Sequence, residues 1–476
     1  MSRAMTNMSL FAIALVINKS ISLIMLPILP QYLTPEQIGK MEIIASVGIV
    51  IALIISLALH EALNRFAGVE DDPQKRKSLL DQIYSLSLLI SVPIALVLAT
   101  IIIVMPVPEP FTKTEWMVAL VAIAFEGAIA IGTAWLRLQD DKAKTLLYVM
   151  VTTTALQAAF IIIALQFSQT VLSVLLGGLL AAAAQLIWLH FINRYQLVLP
   201  SFISTKQFFK YCYPIMCSGL IMFCLNGAER WFIGANASLA TLGVYTIAFK
   251  FAIGMCFLAQ PFAMWWSPRR FSILEKKGAN EATRITHLGM IYLTFLVVVV
   301  GSLAVIIINN FLPVAYREAS LYVLFLLPIA LLKEWSDLLC ISILYKRKTH
   351  WLMGINVIPA AIGLAMLFSL SALGIFGVFI ALYYAQLCRL ALTFSIGQQC
   401  MKLPFHLSLM VILHILAGAS LFLIHSAGSA PLIMLVCFTS CVLIATIAFR
   451  YFDAQTKSNA HHFWLKWRGQ MKRTPL

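Results

Sequence analysis

The chain has 476 residues, 61% of them hydrophobic and only 11% charged, with a formal net charge of +15. Soluble domains carry about a quarter charged residues, so a water-soluble globular domain is excluded. An all-α integral membrane protein is expected instead.

Taken in chain order, the apolar stretches predict about fourteen transmembrane helices, each near the ~20 residues that cross a bilayer. The first covers residues 10–29, lacks the small-residue cleavage site of a signal peptide, and ends at Pro27 and Pro30 before the turn 34–39. The second, 42–64, leads into the charged loop 70–77. Spans near 82–105, 116–138, 146–166 and 171–192 follow. A polar connector, 193–211, precedes spans near 212–234, 243–265, 287–308, 320–344, 351–370 and 374–396. Two more, near 406–425 and 431–450, lead to the tail. Its basic and aromatic run FWLKWRGQMKR, after His461-His462, suits an anionic membrane surface.

The positive charge is a topology signal rather than a sign of nucleic-acid binding. With the N-terminus inside, the inner loops and ends hold 25 of the 34 Lys and Arg residues, and the outer loops hold three: Lys40, Lys113 and Arg317. By the positive-inside rule, both termini are expected in the cytoplasm. The nine cysteines avoid the outer loops, so neither disulfides nor a metal site are expected.

The chain also repeats itself loosely. At an offset of 204, SLATLGVYTIAF falls on TPEQIGKMEIIA, with Gly243 on Gly39, Arg269 on Arg65 and Lys348-Thr349 on Lys144-Thr145. Six spans per copy is an even number, so both copies share one orientation. The expected organisation is an N-lobe at 1–204, a C-lobe at 205–405, two extra C-terminal helices at 406–450 and a basic cytoplasmic tail at 451–476. A cavity between the lobes is the expected substrate path.

Charges inside spans cost about 2.5–3.5 kcal/mol each for Lys, Arg or Asp on insertion scales, so they mark function or pairing. Lys19 sits midway along its span, too deep to snorkel. Lys250 and Arg389 have no acid at helical spacing in their own spans. Glu61 and Arg65 are four apart, as are Lys333 and Asp337, a spacing that permits ion pairs along one helix face. Glu334 adjoins Lys333, Glu229 adjoins Arg230, and Glu126 stands alone. Glu126, Glu229, Glu334 and Asp337 are the coupling candidates, because reversible protonation or cation binding would change the charge balance of the interior. Structural pairing is the alternative for each. No P-loop, HExxH or GxSxG is present and the outer loops are short, which points to a transporter and not an enzyme.

LPILPQYLTPEQIG, ALNRF, the run ERWFIGANASLATLGVYTIAFKFA, the exit Trp265-Trp266-Ser267-Pro268 and the loop 346–349 resemble Wzx-like O-antigen and polysaccharide flippases. These belong to the multidrug/oligosaccharidyl-lipid/polysaccharide (MOP) exporter superfamily. The resemblance implies fourteen helices in two six-helix lobes and alternating access in a bacterial inner membrane. It also implies a glycan on an undecaprenyl diphosphate carrier as substrate, with other polysaccharide assembly proteins as possible partners. It further implies a cationic cavity, for which Lys19, Arg65, Arg230, Lys250, Lys333 and Arg389 are the candidates by position. No cofactor is expected beyond Na⁺ or H⁺ as coupling ion. Three alternatives stay open: a lipid II-type flippase; a MATE-like cation or drug antiporter, which would want an acidic cavity and is disfavoured by the cation excess; and a membrane glycan polymerase or ligase, disfavoured by the short outer loops.

Overall fold

The computed structural model describes residues 17–18, 21, 24–139, 141–267, 269–346, 348 and 350–471. Helix is the only regular structure among them. Among the described residues, eleven helices are long and apolar enough to cross a membrane, or twelve when the bent pair Ser204–Cys224 and Glu229–Asn236 is counted as one span. The expected first span falls mostly outside the described residues. The expected tenth is the helix Ala319–Leu339, whose apolar run stops at Lys333, short of the ~20 residues a span needs.

The described chain forms two compact units. The first takes the residues up to Ile247 together with Leu312–Tyr316 and Ala360–Ala381; the second takes Ala248–Phe311, Arg317–Pro359 and the residues from Leu382 onward.

In the first unit polar side chains cap five of the helices. Thr34 and Gln37 form a capping box ahead of Pro35–Ser56, and Asp72 caps Pro73–Val104. Thr112 and Glu115 form a second capping box at Lys113–Arg137, Thr170 caps Val171–Asn193, and Ser201 caps Phe202–Asn226. Each side-chain oxygen takes up an amide that the first helical turn leaves without a partner. Leu59, Leu63, Ile83, Ile131, Trp135 and Phe208 form the core at one end.

That end contains a break. Leu57 and Ala58 adopt left-handed φ of 45° and 51°, a costly conformation for residues with a Cβ. A short helix, Leu59–Ala62, then widens into the π-helical turn Leu63–Ala67. Nearby, the Lys77 ammonium lies 2.8 Å from the buried Asp81 and donates to the carbonyls of Asn193 and Arg194. Asp81 accepts from the Gln196 amide and Ser85 from the Val198 amide, so the polar connector is tied down by side chains of Pro73–Val104. Burial pushes the Tyr195 phenol in this connector well above its ordinary value.

The second unit is built around Ala279–Phe311, two-thirds of whose most apolar stretch is buried. Ala319–Leu339, Leu407–Ser426 and Ala430–Met471 pack on it, so the two extra C-terminal helices lie against this central helix. A polar latch holds the last one. The His406 amide donates to His287 Nε2 at 3.3 Å, which leaves the proton on Nδ1, 2.7 Å from the Tyr451 hydroxyl. By contrast, Leu432, Leu435 and Phe438 are exposed and form an apolar face suited to lipid.

Candidate functional site

Among the described residues, each unit brings several of the sequence-predicted charges together in a cluster. In the first unit, the cluster forms at the break in the seventh expected span. The helix Phe202–Asn226 stops at Gly227, the Ala228 amide reaches back to the Phe223 carbonyl, and a new helix, Glu229–Asn236, leaves at 42°. Glycine suits the break: a Cβ on Gly227 would lie 2.7 Å from the Phe223 ring. The first two residues of the new helix are the charged ones.

Arg230 Nη1 lies 2.9 Å from Glu42 on Pro35–Ser56, while its Nε lies 3.9 Å from Glu229. The Tyr245 hydroxyl donates to the same Glu229 oxygen at 3.2 Å. Glu229, Arg230 and Tyr245 are 1%, 9% and 0% exposed, while Glu42 keeps 13% of its side chain exposed, so Glu42 is the edge of the cluster nearest solvent. The second Glu229 oxygen is buried with no hydrogen-bond partner among the described residues. Glu42, counted in the sequence only as the start of a span, and Tyr245 are the members that sequence reasoning missed. Their helices are remote in the chain, and only the outlying acid in an apolar span signalled Glu42.

The second cluster pairs differently from the helical spacing. Lys333 does not reach Asp337 four residues on; it lies 3.2 Å from its neighbour Glu334. Asp337 instead pairs at 2.8 Å with Arg389 from Gly374–Cys400, and Arg389 also donates to Asn356 at 3.1 Å. Arg389, without an acid on its own helix, finds one across the interior and outcompetes the lysine. The planar guanidinium can hold a carboxylate and an amide oxygen together, which an ammonium does less well. Glu334 and Asp337 line a cavity of about 80 Å³ with Trp266 and Arg270. Burial pulls Arg270, on the short helix Arg270–Lys277, below its ordinary value.

The remaining candidates are scattered. Glu61 turns to His60 and Asn64, each 3.5 Å away, and Arg65 is exposed. The pair expected from i,i+4 spacing is not formed, because the π turn at Leu63–Ala67 changes the residues per turn and takes Arg65 off the Glu61 face. Lys250 is half-buried in Leu239–Trp266. Glu126 is exposed on Lys113–Arg137 and makes no ion pair among the described residues. Lys19 lies outside the described residues. A buried pair unforeseen from the sequence joins Lys40 to Glu115 at 2.8 Å. A largely apolar groove of about 430 Å³ runs past Ile43, Phe111, Trp231 and Leu239.

Comparison with solved structures decides the fold. The lipid II flippase MurJ in an inward closed conformation matches with a TM-score of 0.64 at 13% identity, over 91% of this chain and 99% of that one. An inward-facing MATE multidrug resistance transporter of the MOP superfamily matches at 0.57 and 15% identity, over 81% and 97%. The chain has the fold of the MOP superfamily. A structure of MATE in complex with MaD3S also matches, at a TM-score of 0.52 and 15% identity, over 83% of this chain and 95% of that one. A family model described as polysaccharide biosynthesis protein matches residues 28–260. No curated protein matches in sequence. The expected resemblance is borne out in the MOP fold and in the polysaccharide biosynthesis match over residues 28–260.

Proposed function

We propose that this chain is a flippase that carries an oligosaccharide repeat unit on an undecaprenyl diphosphate lipid across a bacterial inner membrane, toward the periplasmic face. The observation that carries the reading is the match of residues 28–260 to the polysaccharide biosynthesis family, on a chain with the MOP transporter fold. The O-antigen repeat unit of lipopolysaccharide is the proposed cargo. Alternating access between two six-helix lobes, both termini in the cytoplasm, and drive by a Na⁺ or H⁺ gradient complete the proposal. The chain acts as a transporter with no enzymatic step, with lipid-linked glycan, membrane lipids and other polysaccharide assembly proteins as partners.

A diphosphate in a low-dielectric interior requires cations. Arg230, Lys333 and Arg389 each already face a carboxylate, so a diphosphate would bind them by exchange, displacing Glu42, Glu334 or Asp337. That same pairing favours the second reading, a MATE-like exporter of organic cations, whose cargo would be attracted to the acids.

One experiment separates the two. The gene is placed in strains lacking individual polysaccharide or lipid II flippases, and surface glycan, viability and drug resistance are scored. Restored surface polysaccharide is expected. Restored growth without a lipid II flippase would assign that cargo instead, and drug resistance with no glycan restored would overturn the flippase reading.

A further inference from the structure

The Glu42–Arg230–Glu229–Tyr245 cluster poses a charge problem. Among the described residues two carboxylates face one guanidinium, all of them largely shielded from solvent: Glu42 has 13% of its side chain exposed and Arg230 10%, and Glu229 is 1% exposed overall. An excess negative charge in such a place is unfavourable. The geometry is also lopsided. Arg230 is within hydrogen-bond distance of Glu42 at 2.9 Å and stands off from Glu229 at 3.9 Å. A fully ionised Glu229, next in the chain, would draw the guanidinium in, but its Oε2 has no partner among the described residues.

We propose that Glu229 is a proton-binding site and that Arg230 is the switch it controls. With a proton on Glu229, Arg230 pairs with Glu42 and so with the helix Pro35–Ser56. When the proton leaves to water, the carboxylate closes the gap to Arg230 and the Glu42 pair loosens. Among the described residues, the ionisable groups facing Glu229 are Arg230, Tyr245 and Glu42. Burial favours the neutral acid. Arg230, the Tyr245 hydroxyl and the positive end of the helix Glu229–Asn236, of which Glu229 is the first residue, favour the carboxylate. Opposed pulls of this kind allow one proton to move the balance. The switch sits at the 42° break, where the backbone ladder is already interrupted and a change of partner can alter the bend.

As a coupling device in transport, this rests on the flippase reading; as a proton site, it does not. The test uses the purified full chain in lipid nanodiscs, with infrared difference spectra recorded on pH jumps and on sodium jumps at constant pH. A protonated-carboxyl band that disappears as pH rises is expected in the wild type and, at a lower midpoint because Arg230 is then free to turn to Glu229, in Glu42→Gln, but not in Glu229→Gln. Glu229→Asp should keep the band with a shifted midpoint, which serves if Glu229→Gln fails to fold. The same band in Glu229→Gln, an unshifted midpoint in Glu229→Asp, or a band removed by sodium as by base would each overturn the switch. Glycan export measured in parallel keeps the two ideas apart. Export without the Glu229 band sinks only the switch, and the band without export of any glycan sinks only the flippase reading.

Discussion

Gly39 and Gly243, 204 residues apart in the chain, hold two helix starts in backbone contact. A Cβ on Gly39 would lie 1.8 Å from the Leu239 carbonyl oxygen, and one on Gly243 would lie 1.9 Å from the Pro35 carbonyl oxygen. Pro35 and Leu239 are themselves 204 apart, so the positions superimposed by the repeat touch each other reciprocally. Small residues permit such approaches between membrane helices, where packing rather than water exclusion drives association.

Gly39→Ala and Gly243→Ala should therefore each destabilise the protein by at least the ~1–3 kcal/mol typical of overpacking, because the obstructing atoms are backbone and cannot rotate away. Gly418→Ala is the control, since nothing lies within 4 Å of a Cβ there. Thermal unfolding in detergent should show a lower midpoint for the first two and none for the third. Equal midpoints for all would refute the contact.

The Arg389–Asp337 pair predicts an asymmetric response. Arg389 has 8% of its side chain exposed and Asp337 has 48%, so the guanidinium needs its partner more than the carboxylate does. Asp337→Ala strands a buried cation and should cost about 3 kcal/mol at most, the low end for breaking a buried pair. Arg389→Ala leaves a half-exposed carboxylate and should cost less. If Arg389, Lys250 and Lys19 also meet a diphosphate, their alanine variants should lose glycan export at normal membrane levels. Full export in all three would leave them no part in substrate binding.

Glu126 should behave differently from the clustered acids. It is exposed, with no ion pair among the described residues, so Glu126→Gln should change stability by no more than about 0.5 kcal/mol. Transport driven by a pH or sodium gradient should weaken if this carboxylate takes part in coupling. An unchanged gradient dependence would remove it from the mechanism.

The proposed orientation has a direct test. Single cysteines near Lys113 and Arg317 should react with membrane-impermeant thiol reagents in intact cells, and one near Lys276 should not. The reverse pattern would place the termini outside.

The sequence alone determined that this is a helical membrane protein, where nearly every span lies, and that it resembles a MOP flippase. Those features are written in local composition: an apolar run long enough for a bilayer must satisfy its own backbone hydrogen bonds, and a helix does so whatever surrounds it. The glycine pair was visible as a repeat landmark, although its meaning as a contact was not. Partner choice among the charges was decided only by tertiary structure. Helical spacing suggested Lys333 with Asp337 and Glu61 with Arg65. The fold brought Arg389 to Asp337, Glu42 to Arg230 and Tyr245 to Glu229, and a π turn moved Arg65 away from Glu61. In a low-dielectric interior a charge pairs with whichever opposite charge packing brings nearest, and helix packing sets that distance.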